Sequence, residues 1–116
     1  MIVWINGPFG GEKTTLSELL VELIPNSIIF DPERVGFIIH GAMPEERSRN
    51  FQDFKMWRKL VVEFIREFQA EFKKNLVIPM AIHNLSYTKE IFSEIKNIDK
   101  DYQLSANSFF QKSAKY

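Results

Sequence analysis

The sequence contains no cysteine among its 116 residues. Disulfide bridges, thiol nucleophiles and zinc sites built on cysteine are therefore excluded. No apolar run approaches the roughly 18 to 20 residues that are needed to span a bilayer. The first residues also lack the basic segment, apolar run and small-residue cleavage site of a secretory signal. We therefore expect a cytoplasmic protein without a transmembrane segment.

Neither sign of charge predominates, and glycine and proline are sparse. The 15 basic residues balance the 15 acidic ones, so we expect no binding to nucleic acid or to an anionic membrane. Phenylalanine, by contrast, is abundant, with 11 copies. Many of these rings fall on helical faces, where they are expected to pack in the core. The alternative is an exposed apolar surface through which the chain associates with itself or with a partner.

Short apolar runs alternate with helical patterns along the chain. The runs at residues 2–5, 27–30 and 76–82 predict strands, and residues 102–106 predict a fourth. Apolar spacing predicts helices over residues 13–24, 34–41 and 54–74, and a further helix capped by Ser86 or Thr88. The polar segment 42–53 predicts a mobile loop. We expect one domain over residues 1–106 and a ragged tail over residues 107–116.

Three residues at the predicted boundaries carry specific expectations. Asp53 is expected to cap the long helix and Asn75 to end it. Pro79 has no N–H to donate, so the third strand is expected to be irregular there or to lie at an edge. The alternation of strands and helices predicts an α/β layered fold with a mainly parallel sheet. In such sheets ligands bind beyond the carboxyl ends of the strands, where the turns at residues 7–13, 31–33 and 83–84 would meet.

A glycine-rich segment joins the first strand to the first helix. The backbone N–H groups of such a loop and the N-terminus of the following helix bind phosphate. Lysine adds a charge for the outer phosphates, and the hydroxyl that follows can ligate Mg²⁺. We therefore predict that ATP binds here and that Thr14 is linked to its Mg²⁺. The predicted nucleotide-binding residues are Gly7, Pro8, Phe9, Gly10, Gly11, Glu12, Lys13, Thr14 and Thr15.

Glu12 departs from this phosphate-binding pattern. In G-x-x-x-x-G-K-S/T, counted from Gly7, the second glycine falls at Glu12. Forcing a side chain into a glycine conformation costs roughly 1 to 3 kcal/mol. A carboxylate near phosphate adds repulsion on the order of 4 kcal/mol per charge pair at 4 Å. We expect nucleotide affinity to fall by one or more factors of ten, unless Gly10 and Gly11 allow the loop to shift its register.

Four blocks of the sequence resemble the bacterial tunicamycin-resistance protein family. They are Ile-Asn-Gly-Pro-Phe-Gly-Gly-Glu-Lys-Thr (5–14), Asp-Pro-Glu-Arg-Val-Gly-Phe (31–37), Asp-Phe with Trp-Arg (53–54 and 57–58), and Val-Ile-Pro-Met (77–80). They keep the family's order and approximate spacing over residues 1 to about 98. The resemblance implies a three-layer P-loop NTPase fold of the kinase-like kind that uses ATP and Mg²⁺. Family members are longer, which implies a sheet that is incomplete at the C-terminal side and a missing basic lid.

The resemblance also implies roles for individual residues. Lys13 and Asp31 would be catalytic in an ATP-dependent phosphotransferase or ATPase, with Asp31 facing an antibiotic or nucleoside-like acceptor. Asp31 could instead cap the turn before Pro32. Arg34 could bind substrate or pair with Glu33, and Arg58 could bind substrate or lie on a solvated helix face. The isolated His40 and His83 are expected to be structural. The alternative to an enzyme is a degenerate nucleotide-binding fragment, impaired by Glu12 and the missing lid, that acts through a partner.

Overall fold

The computed structural model describes residues 1–6, 10–99 and 103–106, with the backbone alone at residues 10–12 and 103–106. This part of the chain contains four strands and four α-helices. The elements are β1 (Ile2–Asn6), α1 (Gly10–Leu23), β2 (Ser27–Ile29), α2 (Glu33–Ala42), α3 (Lys55–Phe72), β3 (Asn75–Pro79), α4 (Leu85–Ile98) and β4 (Gln103–Ala106). Two single-turn 3₁₀ helices, Pro44–Glu46 and Phe51–Asp53, lie between α2 and α3.

The strands form a sheet in the order β2-β3-β1-β4. All three pairings are parallel, and Val3 of β1 lies opposite Val77 of β3 and Gln103 of β4. The two central strands are apolar and buried on both faces, as strands of parallel sheets are. The predicted α/β fold with a mainly parallel sheet is therefore confirmed.

Helices cover both faces of the sheet, which gives three layers. Side chains of successive residues point to opposite faces of a strand. Val3, Ile5 and Val77 accordingly pack with Leu20 of α1 on one face. The other face carries the larger cluster, in which side chains of β1 and β3 pack against α2, α3 and α4. Its buried members are Ile2, Trp4, Phe30, Val35, Ile39, Trp57, Val61, Val62, Ile65, Leu76, Ile78, Met80, Ile82, Ile91 and Ile95.

β3 ends at Pro79, although the strand was predicted to continue to residue 82, and Pro79 does not lie at a sheet edge, so the edge alternative was wrong. Pro79 is the last residue of an internal strand. The N–H of Asn75 donates towards β2, to Asn26, whereas the N–H groups of Leu76 and Met80 donate towards β1. By this alternation the nitrogen of Pro79 faces the β2 side, beyond the last register pair of β2 at Val77. The strand therefore loses no hydrogen bond by having proline there.

The long helix is bounded by other residues than expected. Phe54 stands at the N-cap of α3 without a side-chain cap. Asp53 instead accepts a hydrogen bond from the hydroxyl of Tyr87, at 2.7 Å. The helix ends at Phe72, and its C-cap is Lys73, whose φ of 56° is left-handed, so the helix stops before Asn75. Both boundary predictions for α3 were therefore wrong, although the helix itself is confirmed.

The cap of α4 is Asn84, not Ser86 or Thr88. The side chain of Asn84 accepts from the N–H of Tyr87 at 3.0 Å. The hydroxyl of Thr88 donates back to the Asn84 carbonyl at 3.0 Å. Asparagine is as good an N-cap as serine. The sequence Asn84-Leu85-Ser86 therefore offers two suitable N-cap residues, and the local pattern does not decide between them.

The remaining predictions concern less regular parts of the chain. Segment 42–53, expected to be a loop, contains both 3₁₀ turns, and Asn50 caps the second by accepting from the N–H of Gln52 at 2.9 Å. Helix α1 begins at Gly10, three residues before its predicted start. The tail predicted at residues 107–116 lies outside the described residues. Within the described part of the chain, no helix is both long and apolar enough to cross a membrane.

The phenylalanine rings divide between core and surface. Phe30 is buried, and Phe51, Phe54, Phe68 and Phe92 pack against the larger cluster. Phe37 and Phe72 are 59% and 58% exposed. The expectation of core packing therefore holds for the first set of rings, whereas association through the exposed rings stays a prediction.

Candidate functional site

A cleft opens at the carboxyl ends of β1, β2 and β3. Its volume is about 310 Å³. In a parallel sheet this edge collects the loops that bind ligands. The described residues that line it are Lys13, Thr14, Asp31, Glu33, Phe51, Gln52, Pro79, Met80 and Ala81.

Helix α1 brings Lys13 and Thr14 to the cleft. Lys13 is half-buried and Thr14 is exposed. The hydroxyl of Ser17, a residue only 1% exposed, donates to the Lys13 carbonyl at 2.7 Å. This bond joins two residues of α1 that are one turn apart, on the buried side of the helix. Lys13 therefore lies beside a helix N-terminus, where the helix dipole favours an anion.

The glycine-rich segment is described only in part. Gly7, Pro8 and Phe9 lie outside the described residues, whereas Gly10, Gly11 and Glu12 form the first turn of α1. Any residue adopts a helical backbone, so the conformational cost expected for the missing glycine does not arise at Glu12. Its expected repulsion of phosphate stays a prediction. Thr15 is exposed in the same turn and is not one of the described residues that line the cleft.

Asp31 follows β2 and is half-buried at the cleft. Its Oδ1 accepts a hydrogen bond from the backbone N–H of Glu33 at 3.0 Å, which orients the carboxylate over the start of α2. A second hydrogen bond holds this turn: the buried indole N–H of Trp57 donates to the Pro32 carbonyl at 2.9 Å. Asp31 therefore does cap the turn, and the same carboxylate also lines the cleft.

Residues after β3 form the next wall. Trp4 Nε1 donates to the Met80 carbonyl at 2.9 Å. Asn6 Oδ1 accepts from the N–H of Ile82 at 2.8 Å. Side chains of β1 thus replace the strand ladder where β3 has ended, and they fix Met80 and Ala81 beside α1. The turn at residues 83–84 was expected in this place, but His83 is exposed and does not line the cleft.

The 3₁₀ turn Phe51–Asp53 closes the cleft from the helical side. Gln52 Nε2 donates to the Ala81 carbonyl at 2.9 Å and contacts Met80 Sδ at 3.3 Å. The Phe51 ring packs against the backbone of Gly36 so closely that any Cβ there would overlap it. Gly36 is therefore what allows Phe51 to reach the cleft.

Arg58 supports this turn and does not line the cleft. Its Nη1 donates to the Gln52 carbonyl at 2.8 Å, and its Nε donates to Glu90 at 2.9 Å. Its guanidinium carbon lies 4.1 Å from the centre of the Tyr87 ring. The Tyr87 hydroxyl in turn donates to Asp53, and this hydrogen bond raises the pKa of Tyr87 above 10.0. Arg58, Glu90 and Tyr87 thus clamp the turn that carries Gln52.

The other proposed substrate residue, Arg34, is exposed on α2 and is not one of the described lining residues. The Nε2 atom of His40 lies 3.0 Å from the carbonyl oxygen of Arg49, and the imidazole ring packs edge-on against Phe51 and Phe54. It is structural, as expected. No group of three or more His, Asp or Glu that could hold a metal ion occurs in the described ranges.

Sequence reasoning did not identify Phe51, Gln52 and Ala81 as residues of the site. Phe51 and Gln52 lie in the polar segment that was interpreted as a loop, 18 or more positions from any other lining residue in the sequence. Met80 belongs to one of the four blocks that carry the family resemblance, and this was the available signal for the third wall. Nothing in the local sequence places Gln52 at the cleft, because its position depends on hydrogen bonds with the distant Ala81 and with Arg58.

A parallel sheet between two helical layers, with a cleft at the strands' carboxyl ends, is compatible with the kinase-like P-loop fold that the resemblance implies. No family model and no curated protein matches the sequence. The structure is similar to that of the tunicamycin resistance protein of Deinococcus radiodurans, with a TM-score of 0.72 and 30% identity over 90% of this chain. The chain spans 59% of the length of that protein. This similarity supports a distant relation between the two.

Proposed function

We propose that the chain binds ATP with Mg²⁺ in the cleft and belongs functionally with kinase-like antibiotic-resistance proteins. The observation that carries this proposal is that Lys13 and Thr14, at the start of α1, share one cleft with Asp31 at the end of β2. Phosphoryl transfer needs mainly a cation for the phosphates and an acceptor held nearby. The similarity to a tunicamycin resistance protein supports the same class.

The residues present fit a magnesium nucleotide. Lys13 and the helix N-terminus attract phosphate, and the Thr14 hydroxyl is an oxygen ligand of the kind that Mg²⁺ takes. Asp31 and Glu33 add carboxylates that can hold the water ligands of the ion. The cleft volume of about 310 Å³ lies at the lower end of small-molecule sites, so it accommodates part of a nucleotide. When bound, ATP would supply the phosphoryl group.

Each residue then has a defined role. Lys13 balances the charge of the outer phosphates. Asp31, held by the N–H of Glu33, orients the acceptor hydroxyl and receives its proton. Glu12 weakens the affinity through its charge. We propose an ATP-dependent phosphotransferase or ATPase with an antibiotic or nucleoside-like acceptor, acting in the cytoplasm.

A non-enzymatic nucleotide-binding module is the second candidate, and the arginines favour it. Arg58 is engaged by Glu90 and by the Gln52 carbonyl, and Arg34 lies outside the cleft. The described lining therefore contains no arginine that would stabilise charge on a transferred phosphoryl group. Such a module would act through a partner, and exposed apolar residues of α1 and of α2, which lie on opposite faces of the sheet, are candidates for self-association. They are Leu19, Leu23, Phe37 and Ile38.

Calorimetric titration with ATP and Mg²⁺ tests the proposal. We expect weak binding by the wild-type chain and binding about ten-fold or more tighter by Glu12→Gly. Lys13→Ala should lose binding, whereas Lys96→Ala, which removes an exposed lysine of α4, should not. Flat titrations of both the wild-type chain and Glu12→Gly at millimolar ATP would exclude the function. Release of ADP by Glu12→Gly separates the enzyme from the non-enzymatic module.

A further inference from the structure

The outer edge of β2 is a free strand edge in the described part of the chain. Among the described strands, β2 pairs with β3 alone and lies at one end of the sheet order. The N–H of Phe30 donates to Val77 of β3, and only every second residue of a strand bonds to a given neighbour. Ser27 and Ile29 therefore direct their backbone N–H and C=O groups away from the sheet. Such groups are a template for another extended segment.

An aromatic groove on α3 runs beside this strand edge. Its volume is about 200 Å³, and the described residues that line it are Phe64, Glu67, Phe68, Glu71 and Phe72. The centre of the Phe30 ring, at the end of β2, lies 5.6 Å from that of Phe64. At the opposite end of β2, the side chain of Asn26 donates to the carbonyl of Lys73, the C-cap of α3, at 2.9 Å. The groove therefore follows β2 along its whole length.

The neighbouring helices leave the aromatic groove uncovered. Helix α2 packs near the start of α3, beside Phe54. Helix α4 packs on the side of α3 that carries Arg58 and Arg66. Phe64 and Phe72 remain 39% and 58% exposed. The aromatic rings and the free strand edge thus belong to one surface.

The aromatic groove is acidic. Glu67 and Glu71 are exposed, and neither forms an ion pair with another described residue. Like charges four positions apart destabilise a helix. The lysines that follow α3 are engaged elsewhere, since Lys73 donates to a carbonyl of its own helix and Lys74 donates to the side chain of Asn26, both at 3.0 Å. A basic occupant of the groove would therefore relieve repulsion within α3.

We propose that the β2 edge and the aromatic groove bind an extended peptide segment of a partner protein, in which basic and apolar residues alternate. Successive side chains of a strand point to opposite faces. On the α3 face, a lysine or arginine would lay its aliphatic stem over the rings and bring its charge to Glu67 or Glu71. Because Ile28 packs in the cluster on that face, Ile29 lies on the α1 face. It is 41% exposed there, and an apolar residue of the segment would pack on it.

A second copy of the chain fits this surface less well. In an antiparallel pair of β2 strands, a two-fold axis passes through the middle of β2. The contacts of Phe30 with Phe64 and of Asn26 with Lys73 place the middle of β2 level with residues 67–71 of α3. The axis would therefore bring the two glutamates of both copies together, where like charges repel. Charge thus favours a basic partner over self-association at this edge.

Peptide probes test the proposal by fluorescence anisotropy. The probe is a labelled, capped seven-residue peptide in which lysine alternates with valine, and its control carries glutamate in place of lysine. We expect the chain to bind the lysine peptide, and to bind the glutamate peptide about ten-fold or more weakly. N-methylation of alternate residues, in the two possible phases, should abolish binding in one phase only. The reason is that strand addition uses the N–H groups on one side of the peptide.

Matched variants locate the binding surface. Phe72→Ser removes a ring that is 58% exposed and should weaken binding of the lysine peptide several-fold. Phe37→Ser removes a ring of α2 that is 59% exposed and should leave the binding unchanged. Glu67→Lys should weaken binding about ten-fold, whereas Glu45→Lys, which reverses an exposed charge between α2 and α3, should not.

Hydrogen exchange reports on the strand edge itself. The lysine peptide should slow exchange of the Ser27 and Ile29 amides. Protection of these amides in the free chain would show that the chain or a second copy already occupies the edge, and it would overturn the proposal. Binding that Phe72→Ser and Glu67→Lys leave unchanged would overturn it too, because it would be general attraction to a cationic peptide. Absence of binding at millimolar peptide has the same meaning.

Discussion

The two faces of the sheet are supported to different degrees, and the cleft draws on both. In the described part of the chain, α1 alone covers one face, with four buried apolar side chains in the cluster. Three helices cover the other face, with 15. Lys13 and Thr14 belong to the first face, whereas Asp31, Phe51, Gln52 and Met80 are held by the second. Regions with few buried contacts open at lower free energy. The side of the cleft that carries Lys13 and Thr14 is therefore the less rigid one.

A matched pair of leucine truncations should show the largest difference between the faces. Leu76→Ala, on the three-helix face, removes a side chain that is 0% exposed. It should lower the free energy of unfolding by about 3 to 5 kcal/mol. Leu20→Ala, on the α1 face, removes one that is 8% exposed and should cost about 2 to 3 kcal/mol. Urea denaturation measures both.

Leu23→Ala is the control for this pair, since Leu23 is 69% exposed on α1. Its cost should stay within about 0.5 kcal/mol. If Leu20→Ala destabilises the chain as much as Leu76→Ala, then the two faces are equally supported and the comparison is wrong.

Gly36→Ala should break the contact between α2 and the Phe51 ring at the cleft. The new Cβ would overlap the Phe51 ring, so Phe51 must leave its position at a cost of about 1 to 3 kcal/mol. Gly41→Ala, in the same helix, meets no atom within 4 Å. It should instead stabilise the helix by up to about 1 kcal/mol. Chemical denaturation of the two variants gives opposite signs if the packing is correct, and the same sign if it is not.

Arg58→Lys tests whether the hydrogen bonds of Arg58 add to the stability of the sheet face that three helices cover. Lysine cannot serve both Glu90 and the Gln52 carbonyl in the geometry of a guanidinium, so we expect a loss of about 1 kcal/mol. Arg66→Lys on the same helix alters only pairs with the exposed Glu63 and Glu94. That control should change the stability by less than about 0.5 kcal/mol. Hydrogen exchange in residues 51–53 should accelerate in the first variant only.

The smallest expected effect is on the titration of Tyr87. Its hydrogen bond to Asp53 raises the pKa of Tyr87 above 10.0. The protonated phenol is thus favoured in the folded chain. Its contribution to stability is complete below the ordinary pKa of tyrosine and is lost as the pH rises through the higher folded value. Tyrosinate absorbance, taken as the difference between wild type and Tyr87→Phe, measures this pKa. Asp53→Asn should lower it, and an unchanged value would show that the bond does not form.

Local pattern was enough to predict most of the secondary structure and one side of the cleft. The apolar runs at β1 and β3 and the stripe of α3 are strong signals, because a buried strand or an amphipathic helix needs them. Lys13 and Asp31 were placed at one sheet edge by topology alone, since parallel strands bring their carboxyl ends together.

The other side of the cleft depends on contacts that are distant in sequence. Arg58 was interpreted as a substrate residue or a solvated side chain, because its partner Glu90 lies 32 positions away. Pro79 was expected to disturb its strand, since the length of the neighbouring β2 is not visible in local composition. The caps of α3 and α4 were predicted wrongly for a similar reason, because Tyr87 engages Asp53 through its hydroxyl and Asn84 through its N–H.

The strand order has a consequence for the sequence of events in biosynthesis. The first strand of the chain is central in the sheet, and both its partners lie C-terminal to Phe72, in Asn75–Pro79 and Gln103–Ala106. Pairing over such separations is slow, because a long loop must close first. While the chain is being synthesised, β1 has no neighbour until β3 has left the ribosome. Helices α1, α2 and α3 must therefore emerge with their sheet-facing sides uncovered, and this is the stage at which a chaperone would be needed most.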